Sequence, residues 1–313
     1  MTYPERLKGI VTCLDQTIKK NVIHNIKEYI RLNDSREGWV IVSDYCIKDK
    51  QKPNDCLSFV ILPMDTLFYH QITNSIKDNI PKEIKHIDEI NDDTIFFLKN
   101  APYILSLNFI VKNIENAISS KPKDNIKNII IQNLENIKNR IKNNKNLASR
   151  YNIMISEMRK KQFNFNLFSQ CYLVAVIVAY MHILILKYSK KHKITWLSDR
   201  GNITNSNNHF VYDLCQLFYE NLRNKFKITV GENTISCGQE ENNKLFYDEL
   251  IKLPDFFVGA LSSYDIKNHK VDKDKHVLLI DKVLADNPKC INLKLDFSQG
   301  IQCSRLVVTH NKQ

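Results

Sequence analysis

The sequence predicts an α/β fold in which a mixed β-sheet is flanked by helices. Short apolar runs of strand length alternate with longer segments whose apolar residues recur at helical spacing. Two of the strand-like runs are separated by a polar loop, which is typical of an antiparallel hairpin. After a long apolar segment the chain continues as strand, helix, strand and helix, an order that favours α/β over all-helical architecture.

The N-terminal part of the chain predicts helices followed by the hairpin. Residues 4–33 carry apolar side chains at near-helical spacing and predict one or two amphipathic helices that stop at 33–35. The hairpin strands are predicted at 39–46 and 57–63, because the polar loop between them has turn chemistry. A further helix is predicted at 66–79.

The segment 92–150 predicts helices with a strongly basic surface. Its apolar residues form one stripe, and lysines and arginines occupy most of the remaining positions. One interpretation is a solvated amphipathic helix whose apolar side packs on the core. The alternative is a helix that binds nucleic acid, and it would use Lys138, Arg140 and Lys142.

The segment 165–189 predicts a long buried helix. The stretch 171–186 is almost wholly apolar but shorter than the roughly 20 residues needed to cross a bilayer, so a core helix is preferred over a membrane span. The other predicted elements are a strand at 193–199, a helix at 209–224, a strand at 226–230, helices at 243–264 and short strands at 276–281, 290–297 and 303–309. These last three strands are expected to form a small accessory sheet.

The composition favours a cytoplasmic protein that binds a polyanion. Lys and Arg number 45 against 34 Asp and Glu, and the net charge of +11 favours nucleic acid, although a merely soluble basic surface is the alternative. Only 7 glycines occur, with no GxxxxGK[ST] or GxGxxG run, which argues against a nucleotide-binding loop. The 8 cysteines have no zinc-binding spacing, and the N-terminus has no apolar signal segment. We therefore expect a reducing cytoplasm and no membrane association.

Three aspartates mark the ends of apolar elements. Asp44 and Asp199 each end the apolar run of a predicted strand, and Asp255 opens an apolar, helix-like segment. A charged carboxylate at the end of a buried strand needs a partner, and two such strands side by side would bring two carboxylates to one edge of a sheet. A divalent cation would relieve their repulsion. The simpler interpretations are a turn residue for the two strand ends and a helix N-terminus for Asp255.

Four short motifs follow one another in a recognisable order. They are Ser43-Asp44-Tyr45-Cys46, Glu83-Ile84-Lys85, Leu197-Ser198-Asp199 and Leu253-Pro254-Asp255-Phe256-Phe257-Val258-Gly259-Ala260-Leu261. In this order they resemble the RNase H-like superfamily, and more narrowly a branch of uncharacterised bacterial proteins that opens with an Asp-Glu-Ser-Gly strand end. Tyr45, Cys46 and Pro254 stand where that branch has Glu, Ser and Ala.

The resemblance implies an RNase H-like mixed sheet over 39–264, with the basic helical insertion at about 92–150. Residues 1–38 would then be an N-terminal helical segment and 265–313 a small C-terminal appendage with short strands. The implied activity is a nuclease that cleaves DNA or RNA with two Mg²⁺ or Mn²⁺ ions, acting in defence against mobile elements.

The resemblance also implies a set of site residues. The implied metal ligands, which are also the catalytic residues, are Asp44, Glu83, Asp199 and Asp255. The side chains beside them that would contact phosphate or assist proton transfer are Lys85, His86 and Arg200. Glu83 has the simpler interpretation of an ordinary surface acid, and Asp65 is a weaker substitute in the acid set.

A second hypothesis comes from the residues after Asp44. Because Tyr45 and Cys46 depart from the pattern of the branch, the chain could keep the fold without the catalysis. It would then be a silent subunit that binds nucleic acid, a protein partner or a second copy of itself.

Overall fold

Helices pack on both faces of one large β-sheet. The computed structural model describes residues 3–118, 123–140, 145–206, 209–228, 232–235, 240–241 and 244–309. The helices are α1 (Tyr3–Asn21), α2 (Ile23–Asn33), α3 (Thr66–Asn79), α4 (Asp92–Asn100), α5 (Lys123–Arg140), α6 (Lys145–Arg159), α7 (Phe165–Tyr188), α8 (Asn202–Asn205), α9 (Phe210–Phe226), α10 (Asp248–Ser262) and α11 (Asp274–Leu278). The strands are β1 (Gly38–Cys46), β2 (Asp55–Met64), β3 (Leu105–Lys112), β4 (Lys193–Ser198), β5 (Glu232–Ile235), β6 (Glu240–Glu241), β7 (Lys244–Leu245), β8 (Cys290–Asp296) and β9 (Gln302–Arg305).

The large sheet has seven strands in the order β5-β4-β1-β2-β3-β8-β9. Strand β2 runs antiparallel to both β1 and β3, whereas β4 is parallel to β1 and β5 is parallel to β4. On the far side β8 is parallel to β3, and β9 returns antiparallel to β8. The predicted α/β class with a mixed sheet is therefore confirmed. Strands β6 and β7 form a separate two-stranded pair.

Alternating side chains of the central strands bury two separate cores. Along β1, Trp39 and Ile41 join the cluster that includes α7 and α9, whereas Val40 and Val42 join the cluster beneath α10. This period of two is what a strand covered on both faces requires. The sheet is thus a middle layer, and any side chain near its edge belongs to one face or the other according to its position along the strand.

Helix α7 forms the centre of the first core. Its segment Phe165–Tyr188 passes the length and hydropathy test for a membrane span, but the whole apolar window is buried inside the protein. Tyr172, Ile177 and Met181 are fully buried within that window. The burial favours the core-helix interpretation given above.

Two predictions of secondary structure are wrong in informative places. The segment 92–150 was predicted as helical throughout, yet it contains β3, whose run Leu-Ser-Leu-Asn-Phe-Ile-Val is buried on both faces. The predicted strand at 226–230 is also misplaced, because α9 extends through Phe226 and the strand lies at Glu232–Ile235. In both cases a short apolar run beside a helix gives no periodicity that decides between the two structures.

The C-terminal tail does not form an accessory sheet. Strands β8 and β9 extend the large sheet beyond β3, and 276–281, predicted as a strand, lies within α11 and the π-helical segment Leu279–Leu284 that follows it. Strand β8 pairs with β3 and covers an edge of the sheet whose backbone groups would otherwise be unpaired. This pairing stabilises the tail as part of the main sheet. The tail is therefore part of the core.

Candidate functional site: a cluster of acids at the sheet edge

Asp44 and Asp199 lie side by side at the carboxyl end of two parallel strands. The register pairs Ser43 of β1 with Ser198 of β4, and the Asp199 backbone N–H donates to the Ser43 carbonyl oxygen at 2.9 Å. Val42 and Leu197, two positions earlier in each strand, both belong to the core beneath α10. Because strand side chains alternate, both aspartates point to the same face, toward α10.

A hydrogen-bonded cluster fastens the same strand ends from the opposite face. The Tyr45 hydroxyl lies 2.6 Å from Ser43 Oγ and accepts from Ser198 Oγ at 3.0 Å, while Trp196 Nε1 donates to Ser43 Oγ at 2.9 Å. Ser43 and Ser198 are fully buried. Tyr45, which stands where the RNase H-like branch has Glu, thus holds β1 and β4 together and faces away from the acids.

Asp255 comes from the helix that covers these strands. Helix α10 begins at Asp248, so Asp255 lies in its interior and Pro254 is inside the helix as well. The expectation that Asp255 opens a helix is therefore wrong, and its simpler interpretation as a helix N-terminal residue does not apply. Its carboxylate oxygen Oδ2 accepts the backbone N–H of Ile84 at 2.7 Å, which ties α10 to the segment after α3.

Glu83 lies directly before the 3-10 turn Ile84–His86. Its carboxylate forms an ion pair with Lys85 at 2.5 Å, and 45% of its side chain is exposed. Nearly half of the Glu83 side chain is therefore accessible to solvent. Its backbone neighbour Ile84 holds Asp255, which brings the second and fourth motifs together.

The four acids act on one another electrostatically. Burial raises the pKa of Asp44 well above its usual value, and the charges of Asp255, Asp199 and Glu83 raise it further. Burial likewise raises the pKa of Asp199, and it raises that of Asp255 to about 6, with Glu83 adding to both shifts. Carboxylates that crowd in this way favour a cation among them. The motifs that the sequence places far apart thus meet in one charged region.

The donor chemistry of this region suits a hard divalent cation. Carboxylate oxygens are the ligands that Mg²⁺ and Mn²⁺ prefer, and all four side chains supply them. As the described side chains stand, however, no three His, Cys, Asp or Glu residues are close enough together to hold one ion. Some side-chain movement would have to accompany metal binding.

Asp44 borders two cavities. One of about 170 Å³ is shared with Asp199, Gly201 and Asn202. The other, of about 270 Å³, is shared with Asp255 and lies against α10. Asp44 is consequently the common wall between the Asp199 side and the Asp255 side of the site.

A row of polar side chains continues from Asp44 across the sheet. In register with Asp44 stand Ser58 on β2, Asn108 on β3 and Asn292 on β8. Ser58 Oγ donates to Asn108 Oδ1 at 2.7 Å, and Asn108 Nδ2 donates to Asn292 Oδ1 at 3.1 Å. These three residues are buried, so a shift of register by one residue would break their hydrogen bonds inside the core. The row fixes the register of β2, β3 and β8, and the backbone pairing of β1 with β2 places Asp44 beside it.

The predicted basic residues divide into two groups. Lys85 and Arg200 both lower the pKa of Asp199, so they belong to the acid region, although Arg200 also approaches Asp248 at 3.9 Å. His86 is exposed on the 3-10 turn beside them. Lys138 and Arg140 belong to α5, which packs with α6 on the α7 face of the sheet, opposite the acids. Lys142 lies outside the described residues.

Asp65 has a structural role at the far end of the sheet. It caps α3 by accepting the Phe68 N–H at 2.7 Å and pairs with Arg36 at 3.3 Å, so it is not a substitute for the site acids. A mostly apolar cavity of about 420 Å³ lies beside it, at the start of β1 and β4. This cavity is larger than the two beside Asp44 but contains none of the four acids.

Four basic residues near Asp255 were not predicted. Lys52, Lys273, Lys275 and His276 line the same cavity as Asp44 and Asp255. Lys275 is buried, and its ammonium group donates to the carbonyl oxygens of Ile84, at 2.8 Å, and Ile87. The sequence carries no motif for them, because three come from the tail and one from the hairpin loop.

Comparison with known proteins finds no family model, curated protein or solved structure that matches this chain.

The contact between Gly259 and Ile84 gives a first testable prediction. A Cβ at position 259 would lie 2.8 Å from Ile84 Cγ2 and 3.2 Å from its Cδ1. In an open helix, Gly→Ala stabilises by about 1 kcal/mol. Here we expect Gly259→Ala to lower the free energy of unfolding by about 1–3 kcal/mol, because Ile84 must move and its N–H holds Asp255. Urea unfolding measures the change.

The matched control removes the clash from the other side. Ile84→Ala deletes both contacting carbon atoms. The loss of unfolding free energy in the double variant should therefore be smaller, by about 1 kcal/mol, than the sum of the losses in the two single variants. Strictly additive effects would show that the close approach costs nothing.

Proposed function

We propose that this protein is a divalent-metal-dependent nuclease with an RNase H-like fold that cleaves phosphodiester bonds of DNA or RNA. The observation that carries the proposal is the meeting of the acids at one sheet edge, where Asp44 shares one cavity with Asp199 and another with Asp255, and Asp255 accepts the N–H of the residue after Glu83. The strand order β3-β2-β1-β4-β5, with β2 the antiparallel member, supports the fold assignment. Acids on the first and fourth strands and on the last covering helix are what that superfamily requires.

Each acid has a role that its surroundings support. Asp44 borders both cavities, so we assign it as the ligand shared between two ions. Asp199 would serve the ion on its side, and Asp255, oriented by the Ile84 N–H, the ion on the other. Glu83 is accessible enough to turn from Lys85 toward either ion. When bound, such metal ions lower the pKa of the attacking water and stabilise the leaving oxygen.

The composition supports a nucleic acid substrate in a reducing compartment. The net charge of +11 favours a polyanion. The seven cysteines among the described residues are free thiols, which agrees with a cytoplasmic location.

The nuclease proposal predicts metal-dependent cleavage that requires two neighbouring acids. Single-stranded and duplex DNA and RNA would be incubated with the protein in Mn²⁺ or Mg²⁺, and the products separated by gel. Asp44→Asn and Asp199→Asn should each lower the cleavage rate by at least about 100-fold, because each removes a charged ligand of the metal ions.

The control is Asp78→Asn, an exposed aspartate of α3 that borders neither of the two cavities beside Asp44. Its rate should equal that of wild type. Cleavage that survives both site substitutions would exclude this site as the origin of the activity.

A second candidate function is a silent nucleic-acid-binding subunit. It is favoured by Tyr45, whose hydroxyl is engaged with Ser43 and Ser198 on the opposite face, where the branch has a carboxylate. Isothermal titration with Mn²⁺ separates the two functions. No binding at millimolar metal would favour the silent subunit, whereas binding that Asp44→Asn abolishes would favour the nuclease.

A further inference from the structure

The cavity between Asp44 and Asp255 is lined by both acidic and basic side chains. The two aspartates come from strand β1 and helix α10. The basic residues that the sequence did not predict are Lys52 from the hairpin loop and Lys273, Lys275 and His276 from the tail, and together they are called the basic wall. A cavity lined by carboxylates and cations matches a ligand that itself pairs a metal ion with an anion.

Lys275 has a structural role, whereas the other two lysines of this wall, Lys52 and Lys273, are available to a ligand. Lys275 is buried, and its ammonium group is occupied by the carbonyls of Ile84 and Ile87. Lys273 is exposed, and Lys52 is half-buried with its ammonium group against Ser263. Within the described part of the chain neither of these two forms an ion pair with an acid. Lys52 and Lys273 are thus the cations that can serve a ligand.

His276 provides an independent sign that the wall binds something. Its side chain is 3% exposed, and Nδ1 is buried without a hydrogen-bond partner among the described residues. A buried polar atom of this kind needs an explanation, and an absent ligand is one. The imidazole lines the cavity, but Nδ1 itself has almost no accessible surface, so it would donate to an anionic oxygen only after the ring turns toward the cavity.

We propose that Lys52, Lys273 and His276 form a subsite for a phosphate group of the nucleic acid strand, next to the phosphate that is cleaved. This inference rests on the proposed function for the identity of the ligand. The cavity of about 270 Å³ corresponds to the volume of roughly nine water molecules, which is enough for a phosphate with part of its sugar. The phosphate belongs either to the interior of a strand or to its 5′ end.

The test measures binding without cleavage. Fluorescence anisotropy would follow labelled single strands, with a 5′-phosphate or a 5′-hydroxyl, binding to Asp199→Asn protein in Mn²⁺ over a range of salt. Asp199 borders the other cavity, so this background leaves the basic wall unchanged. Into it are introduced Lys273→Gln, Lys52→Gln and the control Lys282→Gln, an exposed lysine of the neighbouring π-helical segment.

Each lysine of the subsite should contribute one phosphate contact. Lys273→Gln and Lys52→Gln should each weaken binding by roughly threefold or more and reduce the slope of log K against log salt by about 0.7, whereas Lys282→Gln should change neither. A loss of affinity confined to the 5′-phosphorylated strand assigns the subsite to a terminal phosphate. A loss of affinity for both strands assigns it to an internal phosphate. Unchanged affinity and slope in both lysine variants would overturn the subsite.

The result is separable from the nuclease assay. Lysine-dependent binding together with no cleavage by the wild-type protein would support the subsite and overturn the nuclease proposal. Cleavage by wild type together with wild-type binding in the lysine variants would overturn the subsite alone.

Discussion

Replacing Asp44 by asparagine should make the metal-free protein more stable at pH 8 while removing the proposed nuclease activity. Asp44 is held among Asp255, Asp199 and Glu83, whose charges together with burial raise its pKa well above the usual value. The amide has nearly the same shape but no charge, so it relieves this repulsion. We expect a gain of about 1–2 kcal/mol in the free energy of unfolding, the usual size when a strained functional position is relaxed.

The pH dependence follows from the direction of the shifts. An acid whose pKa is raised in the folded state binds more protons there than in the unfolded chain, so stability falls as pH rises. For Asp255 the fall in stability lies between the ordinary pKa of 3.8 and about 6, and Asp44, whose pKa is also raised, adds a fall of the same sign. The advantage of Asp44→Asn should therefore grow as pH rises and vanish below about pH 4, where the Asp44 carboxyl is protonated in both the folded and the unfolded chain.

Urea unfolding in EDTA, with and without added Mn²⁺, measures both effects. Wild type should gain about 2.7 kcal/mol at a free metal concentration 100 times its Kd, and Asp44→Asn should gain far less. Asp78→Asn serves as the control, since it changes an exposed acid outside the site. A metal-free Asp44→Asn protein less stable than wild type at pH 8 would contradict the repulsion argument.

Lys275→Met should have the second large effect on stability. Unlike Asp44→Asn, it should lower the free energy of unfolding. The substitution keeps the apolar stem of the side chain as far as Cε but leaves the carbonyls of Ile84 and Ile87 without their buried donor. An unsatisfied buried acceptor costs about 1–3 kcal/mol, partly offset because a desolvated ammonium group is removed. We expect a net loss of about 2 kcal/mol in the free energy of unfolding.

The loss of Lys275 should also disturb the positions of the carboxylates of Glu83 and Asp255. Ile84 presents its N–H to Asp255 and follows Glu83, so a looser 83–87 segment misplaces two proposed ligands at once. Titration calorimetry with Mn²⁺ should give a weaker affinity for Lys275→Met than for Lys282→Met, an exposed lysine nearby. Equal stability and equal affinity in the two variants would show that Lys275 does not support the site.

Strand ends were predictable because their signal is local. Asp44 and Asp199 each close an apolar run, and the parallel pairing of β1 with β4 places them side by side. Helix α7 was predictable for the same reason, since its apolar run is uninterrupted. Features of this kind depend on a few consecutive residues.

The other residues of the site are brought together by contacts between segments that are far apart in the sequence, and no local pattern predicts such contacts. Asp255 was expected at the start of a helix because proline favours the first turn, but α10 tolerates Pro254 in its interior and begins six residues earlier. Strand β3 was hidden in a basic, helical region. Lys52, Lys273 and His276 reach the cavity only because the tail folds back over the hairpin.

The tail has a consequence for the folding of the protein. All four acids lie no later in the chain than residue 255, but Lys275 and β8 come later, and α1 contacts β9, where Thr17 Oγ1 donates to the Cys303 carbonyl oxygen at 3.0 Å. Helix α1 and strand β9 must therefore meet before the fold is complete, so a partly folded chain in which 274–305 have not yet joined the sheet carries the acids without the contacts that hold them. The acid cluster is consequently among the last parts of the molecule to be fixed in place.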